Sequence, residues 1–233
     1  KLTYAGNKSF ISSILKSKRV RFIKSDINDT KKYTNFLNNC DLAINIAAES
    51  HVDNSFISPL NFTKTNSLGA HAFFLECIKK KVKKILHVSS DEVYGEKVTG
   101  TCFENQLVNP TNPYSASKAA AEILINSYKY TYKKEIIIVR ANNIYGIRQY
   151  PEKLISTSIV NLIHNKPIPI HGNGKNIRYY LSAEDFANAL ILLVKKRDKG
   201  TFNVGSNFFE QNINIAKHIC KIFKKNPKKF IKF

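Results

Sequence analysis

The chain has 233 residues, of which 37 are Lys or Arg and 17 are Asp or Glu, so its formal net charge is +20. This length suits one sizeable α/β domain with a small appendage and disfavours two full domains. No apolar run approaches the length of a membrane span and no signal-like segment is present, so we expect a cytoplasmic protein with no membrane partner.

The Lys residues are scattered through polar faces and do not form a basic stripe. Positive charge dispersed in this way does not favour a nucleic-acid partner. Its electrostatic field would still attract a small anionic ligand. The four cysteines have neither zinc-ligand spacing nor the density of a disulfide framework, and we expect no metal site.

Apolar periodicity and capping residues predict alternating helices and strands along the first half of the chain. The predicted elements are, in order, a helix over 8–17, a strand over 19–27, a helix capped by Asp29 or Thr30, a strand over 41–48, a helix over 66–80 and a strand over 84–90.

The second half continues this alternation and then becomes less regular. The predicted elements are a helix over 114–132, a strand over 135–142, a helix over 151–166, a turn-rich segment over 167–175, a helix over 183–196, a strand over 201–205 and a helix over 213–225. Strands that alternate with helices through short connections predict a doubly wound parallel α/β sheet.

Small and polar residues follow four of the predicted strands. They are Ser25-Asp26-Ile27, residues 47–51, Ser89 to Glu92, and Asn142-Asn143. In an open parallel sheet the ligand lies across the carboxyl ends of the strands, so these residues predict a binding site at that edge. Adjacent carboxylates at one strand end, Asp91 and Glu92, are suited to acid/base chemistry.

Tyr114 and Lys118 lie four residues apart at the start of a predicted helix, so they share one helix face. A lysine ammonium near a phenol would lower the pKa of the phenol and make Tyr114 a base at neutral pH. Ser89 or Ser90 could then bind the substrate hydroxyl that Tyr114 deprotonates. The spacing alone is common in helices, and its context after a Ser-rich strand end gives it weight.

Eight segments occur in an order and spacing that resemble the extended short-chain dehydrogenase/reductase family, most closely its nucleotide-sugar 4,6-dehydratases. These segments are KLTYAGN, AAESHVDNSF, SSDEVYGE, PTNPYSASKAAAE, NIYG, QYPEKLI, HGNGKNIR and TFNVGSN. The resemblance covers nearly the whole chain. Its most discriminating piece is Asp91-Glu92, because related 4-epimerases and uronate decarboxylases look similar at the Tyr and Lys but lack the acid pair.

The resemblance implies a catalytic role for five residues. Tyr114 would take the proton of the sugar 4-hydroxyl while hydride leaves C4 for NAD, and Lys118 would hold the nicotinamide ribose. Glu92 would then remove the C5 proton, and Asp91 would protonate the departing 6-hydroxyl. Ser90 would bind the substrate beside this acid pair.

The resemblance also implies binding residues. Those for the NAD cofactor are Lys1, Leu2, Thr3, Asp26, Ile27, Ile46, Ala47, Ala48, Glu49 and Thr65, with Tyr114 and Lys118. Those for the nucleoside-diphosphate sugar are Ser50, Ser90, Asn143, Lys153, Leu154, Arg178 and Asn212. A planar guanidinium such as that of Arg178 suits phosphate oxygens.

By this resemblance, residues 1–147 are an incomplete NAD-binding, Rossmann-like domain that carries the catalytic residues. Residues 148–233 would hold substrate-binding segments, 148–180 and 206–233, and a helix and strand over 182–205 that pack on the Rossmann sheet.

The Gly-rich phosphate loop of the family, with its strand and the next strand, is not found in this sequence, which also contains no Met. We therefore expect a fragment of a longer protein, truncated at both ends, that binds NAD poorly, is marginally stable, and forms a homodimer at full length.

The predicted function is NAD-dependent dehydration of a nucleoside-diphosphate glucose, with dTDP and UDP both open. The alternatives are a 4-epimerase or uronate decarboxylase of the same fold and, from a different class, a non-catalytic basic protein that binds nucleic acid.

Overall fold

The structure, a computed structural model, describes residues 1–96, 100–132, 134–196 and 198–233. Its contacts divide the chain into two compact units, one made of Lys1–Ala141 with Leu192–Val204 and the other of Asn142–Ile191 with Gly205–Phe233. This division differs from the predicted one over 142–147 and 182–191, and at Gly205. The assignment of cofactor and substrate binding to separate domains stays a prediction.

The strands of the described residues are β1 Leu42–Asn45, β2 Lys84–Ser90, β3 Glu135–Ala141, β4 Asn143–Tyr145, β5 Ile168–Pro169, β6 Ile177–Ser182, β7 Gly200–Val204, β8 Phe209–Gln211 and β9 Ile231–Lys232. The α-helices are α1 Val52–Ile57, α2 Pro59–Phe62, α3 Ala70–Lys79, α4 Pro113–Tyr132, α5 Leu154–Ile163, α6 Ala183–Lys195, α7 Asn212–Ile222 and α8 Pro227–Phe230. No helix of the described part is long and apolar enough to cross a membrane.

The first unit contains a parallel sheet in the order β1-β2-β3-β7. Every residue of β2 is buried, and so is every residue of β3 after Glu135. Apolar side chains on both faces therefore stabilise these central strands, as is usual for parallel sheets. The predicted α/β fold with a parallel Rossmann-like sheet is confirmed.

The core of the first unit lies between this sheet and helices α3 and α4. Phe74 of α3 and Ile125 of α4 pack against Ile85 of β2 and Ile138 of β3, and all four side chains have no exposed surface. Because α4 is fixed by this packing, its first turn is held at the carboxyl ends of the strands.

The predicted strand over 19–27 is wrong. Residues 19 and 27 lie in turns, residues 20–26 have no regular secondary structure, and the segment forms no ladder with any strand of the described residues. A β-strand needs a neighbour to accept its backbone hydrogen bonds, and a local apolar pattern cannot supply one.

The predicted helices over 8–17 and from Asp29 are also wrong in type, because both regions form short 3₁₀ turns. These turns are Lys8–Ile11, Ile14–Lys16, Thr30–Lys32 and Thr34–Leu37. Each is one turn long, as is common for 3₁₀ structure in connecting segments.

The predicted helix over 66–80 begins earlier in the structure. The chain is helical through α1 and α2, then forms a π-helical segment over Thr63–Gly69 before α3. π-helical turns are rare and are frequent at functional sites. Periodicity based on 3.6 residues per turn does not detect such a segment.

The second unit is built on two small sheets, β4-β6-β8 and β5-β9. Its core joins Leu162 of α5 with Ala216, Ile219 and Cys220 of α7. Helices α5, α6 and α7 were predicted, whereas strands β4, β6 and β8 were not. These strands have only three to six residues, so the alternation of apolar and polar residues along them is too short to be recognised in the sequence.

Gly95, which ends the turn after β2, provides a test of the fold near the strand end. It has φ +80°, and a Cβ added there would lie 2.1 Å from the carbonyl oxygen of Asn109. We expect Gly95→Ala to lower the free energy of unfolding by more than about 2 kcal/mol, because both the backbone conformation and the contact are unfavourable. Urea unfolding measures the change.

The matched control is Gly172→Ala, since Gly172 also has positive φ but an added Cβ would meet no atom within 4 Å. Its expected cost is about 1 kcal/mol, from the backbone conformation alone. Equal costs for the two variants would contradict the close approach of Asn109.

Candidate active site

The turn that follows β2 carries the two predicted acids. Ser90 ends the strand, and its hydroxyl oxygen accepts a hydrogen bond from the backbone N–H of Glu92 at 3.2 Å. The same hydroxyl donates to Oδ1 of Asp91 at 3.3 Å. A Ser at this position caps a helical turn, so Asp91 to Tyr94 form a single 3₁₀ turn.

Asn112 joins this turn to helix α4. Its side-chain oxygen accepts from the backbone N–H of Ser115 at 2.8 Å, which caps the helix, and its amide donates to Oε2 of Glu92 at 3.2 Å. One side chain therefore fixes the helix start and orients a catalytic candidate. The sequence signal for the cap is Asn followed by Pro113 at the first helical position, but nothing in the sequence indicates the bond to Glu92.

Tyr114 lies beside the turn. Its phenol forms a hydrogen bond with the Ser90 hydroxyl, and its ring packs edge-on against Phe62, with 6.3 Å between ring centroids. Burial raises the pKa of Tyr114; the Ser90 bond lowers it, and the charges of Glu92 and Asp91 raise it further. The expected lowering of this pKa by Lys118 is wrong for this structure, because burial and the two acids outweigh any effect of the ammonium.

Lys118 is almost fully buried, with 3 % of its surface exposed. Its ammonium donates to the carbonyl oxygen of Val88 in β2 at 2.6 Å. Burial lowers the pKa of Lys118 to about 8, and the carboxylate of Glu122, one helical turn further on, opposes this. Lys118 thus joins α4 to the strand that ends at Ser90.

Asn66, which the sequence analysis did not select, links two parts of the site. Its side chain accepts from the N–H of Glu49 at 2.8 Å and donates to the carbonyl of Glu49 at 2.9 Å. It also donates to the hydroxyl of Ser117 in α4 at 2.9 Å. The loop after β1 is therefore tied to the helix of Tyr114. No local pattern indicates this role, since the three residues are far apart in sequence.

The predicted cofactor residues all belong to the first unit, and Ile46 to Glu49 directly follow β1. Lys1 and Asp26 form an ion pair at 2.8 Å, and this partner, together with a backbone bond from Asn28, lowers the pKa of Asp26. The segment after β1, with Ile46, Ala47 and Ala48, is exposed. Leu2, at 37 % exposure, is solvent-accessible, and Thr3, Ile27, Glu49 and Thr65 are partly buried.

The predicted substrate residues fall in both units. Ser50 and Ser90 belong to the first, and Asn143, Lys153, Leu154, Arg178 and Asn212 belong to the second. In the second unit, Asn143 pairs with Tyr180 across β4 and β6, and the Tyr180 phenol donates to the side chain of Asn212 at 3.1 Å. Arg178, on β6, is exposed. Lys153 and Leu154 lie at the start of α5.

The arrangement in the first unit can perform acid/base chemistry on a bound hydroxyl and its neighbours. A phenol, a buried ammonium, a serine hydroxyl and two carboxylates are held at the end of β2. Among the described residues, no three His, Cys, Asp or Glu side chains gather as a metal ion would require.

The lowered pKa of Lys118 predicts a pH-dependent stability. The unfolded chain binds more protons than the folded one between pH 8 and 10.5, so the cost of burying the charge is fully present below pH 8 and decreases above it. Lys118→Met removes this cost, so the variant should gain free energy of unfolding relative to the wild type. We expect this gain to be about 2 kcal/mol larger at pH 7 than at pH 10.

Urea unfolding at both pH values measures this difference. The control is Lys64→Met, which replaces an exposed lysine of the same unit and should show no such pH dependence. An equal effect of Lys118→Met at the two pH values would contradict the burial of a charged ammonium.

The bridge made by Asn66 predicts a second stability effect. Asn66→Ala leaves the backbone groups of Glu49 and the hydroxyl of Ser117 without this partner, and we expect a loss of about 2 kcal/mol. The control is Asn61→Ala, whose exposed amide donates only to Ser58 at 3.0 Å among the bonds seen, with an expected change within about 0.5 kcal/mol. Thermal unfolding compares the two, and equal shifts would contradict the bridge.

Comparison with known proteins identifies relatives of the whole chain. The family model described as GDP-mannose 4,6 dehydratase matches residues 2–230. A dTDP-D-glucose 4,6-dehydratase of Dictyostelium discoideum is 41% identical over 236 residues, which is 95% of this chain and 54% of that protein. A trifunctional UDP-glucose 4,6-dehydratase/UDP-4-keto-6-deoxy-D-glucose 3,5-epimerase/UDP-4-keto-L-rhamnose-reductase of Arabidopsis thaliana is 39% identical over 241 residues, 100% of this chain and 36% of that protein.

The chain therefore spans about half, or less, of the length of these curated relatives. Among solved structures, the dTDP-glucose 4,6-dehydratase DesIV of Streptomyces venezuelae, with NAD and TYD bound, has a TM-score of 0.96 and 31% identity, over 99% of this chain and 72% of that one. A UDP-glucuronic acid 4-epimerase of Bacillus cereus has a TM-score of 0.88 and 27% identity, over 94% of this chain and 70% of that one. The predicted resemblance is confirmed, and the chain belongs to the GDP-mannose 4,6 dehydratase family.

Proposed function

We propose that the protein catalyses the NAD-dependent dehydration of a nucleoside-diphosphate glucose to the 4-keto-6-deoxy sugar nucleotide. The observation that carries this proposal is the acid pair Asp91-Glu92, held in one turn at the end of β2 beside Tyr114 and Lys118. The substrates named for the relatives, dTDP-D-glucose and UDP-glucose, support the same class.

In this proposal NAD binds in the first unit, beside the segment after β1. Ala47 and Ala48 leave the segment after β1 free of bulky side chains, and Ile46 is 58% exposed there. Lys118 would hold the nicotinamide ribose, and Asp26 and Ile27 would contact the adenine. When bound, NAD supplies the hydride acceptor and a positive charge that favours the phenolate of Tyr114.

Oxidation at C4 needs a base for the 4-hydroxyl. Tyr114 takes this proton, and the Ser90 hydroxyl, already bonded to the phenol, orients the same oxygen. The pKa of Tyr114 is raised in this structure, so its action as a base needs a positive charge beside the phenol.

Elimination of water uses the acid pair. The 4-keto group acidifies the C5 proton, which Glu92 removes, while the C6–O bond breaks and Asp91 donates a proton to the leaving oxygen, so that water departs. The hydride taken from C4 would then return to C6 and a proton to C5, which gives the 4-keto-6-deoxy sugar with no net oxidation or reduction of the cofactor. The bond from Asn112 restrains the Glu92 carboxylate and leaves its second oxygen for the substrate. Two carboxylates on one turn can thus act on adjacent carbons.

The remaining assignments rest on the family resemblance. In this proposal Ser50, Asn143, Lys153, Leu154, Arg178 and Asn212 bind the sugar or its diphosphate, and Lys1, Leu2, Thr3, Ile27, Glu49 and Thr65 line the cofactor. A homodimeric state and a cytoplasmic location stay predictions.

The proposal predicts different failures for the two acids. We expect Glu92→Gln to lose exchange of the C5 hydrogen with deuterated solvent, because its base is removed. Asp91→Asn should retain some C5 exchange and lose water elimination. Each should lower kcat by about 10²-fold or more. NMR of the sugar nucleotide follows exchange, and mass spectrometry follows the product.

The purified protein is supplied with NAD and, in separate reactions, dTDP-glucose and UDP-glucose. Glu96→Gln removes an exposed carboxylate shortly after the turn and serves as the control with wild-type rates. A galactose epimer as product would overturn dehydration in favour of 4-epimerisation. Equal C5 exchange in Glu92→Gln and the wild type would overturn the role of Glu92.

A further inference from the structure

Tyr94 is the last residue of the turn that carries the acid pair, two residues after Glu92. A 3₁₀ turn is closed by hydrogen bonds from each residue to the third one along, so its residues move together. Gly95 follows Tyr94 with φ +80°, and its N–H bonds to the carbonyl of Glu92 at 3.1 Å. Whatever fixes Tyr94 therefore also fixes the direction of the two carboxylates.

The phenol oxygen of Tyr94 has a partner on each side. It accepts from Nη1 of Arg140 at 2.8 Å and donates to Oδ1 of Asn203 at 2.7 Å. The guanidinium carbon of Arg140 lies 4.7 Å from the centroid of the Tyr94 ring. Arg140 thus contacts both the oxygen and the ring face, a contact that combines a charged hydrogen bond with a cation–π interaction.

Arg140 is itself held by a buried ion pair. Its Nε and Nη2 donate to the carboxylate of Glu122, with the shortest distance 2.7 Å. Arg140 is 5% exposed and Glu122 is 1% exposed. Since Glu122 lies in α4, one turn after Lys118, the ion pair joins the helix of Tyr114 and Lys118 to β3.

The segment after the acid turn, which includes Cys102 and Glu104, forms hydrogen bonds with Arg140 and Asn203. Arg140 Nη1 also donates to the carbonyl of Glu104 at 3.3 Å, and the side chain of Glu104 accepts from the N–H of Asn203 at 2.9 Å. The amide of Asn203 donates to the carbonyl of Cys102 at 3.0 Å. Arg140 and Asn203, the two partners of the Tyr94 phenol, are therefore both bonded to the segment of Cys102 and Glu104.

We propose that Tyr94 is a positioning residue, which Arg140 and Glu122 hold so that the Asp91-Glu92 turn keeps a fixed orientation relative to Tyr114 and Lys118. Tyr94 acts through the turn and does not contact the reacting atoms. The catalytic consequence rests on the proposed function, whereas the structural coupling does not.

The test uses Tyr94→Phe, which removes the phenol oxygen and leaves the ion pair of Arg140 and Glu122 intact. Hydrogen exchange of the folded protein, followed by mass spectrometry, should show at least about tenfold faster exchange in the peptide covering 91–96, while β2 and β3 keep their protection. Asn203→Ala, which removes only one of the two partners, should give a smaller increase at the same place. The matched control is Tyr132→Phe, which removes a phenol oxygen from a half-exposed ring of α4.

Activity gives a second readout. If the protein dehydrates nucleotide sugars, Tyr94→Phe should lower kcat by about tenfold to 100-fold with KM within about twofold, because displaced catalytic groups slow chemistry and not binding. The C5 exchange rate should fall with kcat, since both depend on the acid turn.

The outcomes separate the two proposals. Unchanged exchange at 91–96 in Tyr94→Phe would overturn the positioning role. Faster exchange spread evenly over the whole first unit would also overturn it, because that result indicates general destabilisation. Local acceleration in a protein without dehydratase activity would support the positioning role and count against the proposed function.

Discussion

The site depends on one charge buried at the end of a β-strand. The ammonium of Lys118 donates to the carbonyl of Val88 from a position where almost none of its surface reaches solvent. Removing an ammonium from water costs several kcal/mol unless it is partnered, so this contact requires α4 to sit closely against β2. With Lys118 fixed, Tyr114 one turn earlier must lie beside Ser90, and Asn112 before it reaches Glu92.

Charges of alternating sign extend from this point into the interior. Lys118 is followed along α4 by Glu122, and the Glu122 carboxylate is shared with Arg140 of β3. A single buried charge would be strongly destabilising. Here each charge lies near one of opposite sign, which reduces the cost of burying it. The far end of this series is Tyr94, on the turn of the two acids. The helix of Tyr114 and the turn of Asp91 and Glu92 are therefore parts of one connected structure.

The sequence was sufficient for elements whose signal is local. Strand β3 contains a continuous apolar run, β2 is mostly apolar before its two serines, and Asn112-Pro113 stands at the start of α4. The acids and the Tyr114-Lys118 pair follow recognisable patterns. It was insufficient where a partner decides the outcome. Residues 19–27 have a strand pattern but no neighbour to pair with among the described residues. The bonds of Asn66 and Arg140 join distant residues, and the pKa of Tyr114 depends on burial, which its spacing to Lys118 does not report.

The central claim is that one turn presents two carboxylates to adjacent carbons of a bound sugar. A crystal structure of the protein with NAD and a nucleoside-diphosphate glucose measures this directly. The account predicts the Glu92 carboxylate against the C5 hydrogen and the Asp91 carboxyl within about 3 Å of the 6-hydroxyl, with the 4-hydroxyl between Tyr114 and Ser90. A sugar bound with C5 and C6 turned away from the Asp91–Tyr94 turn would contradict it.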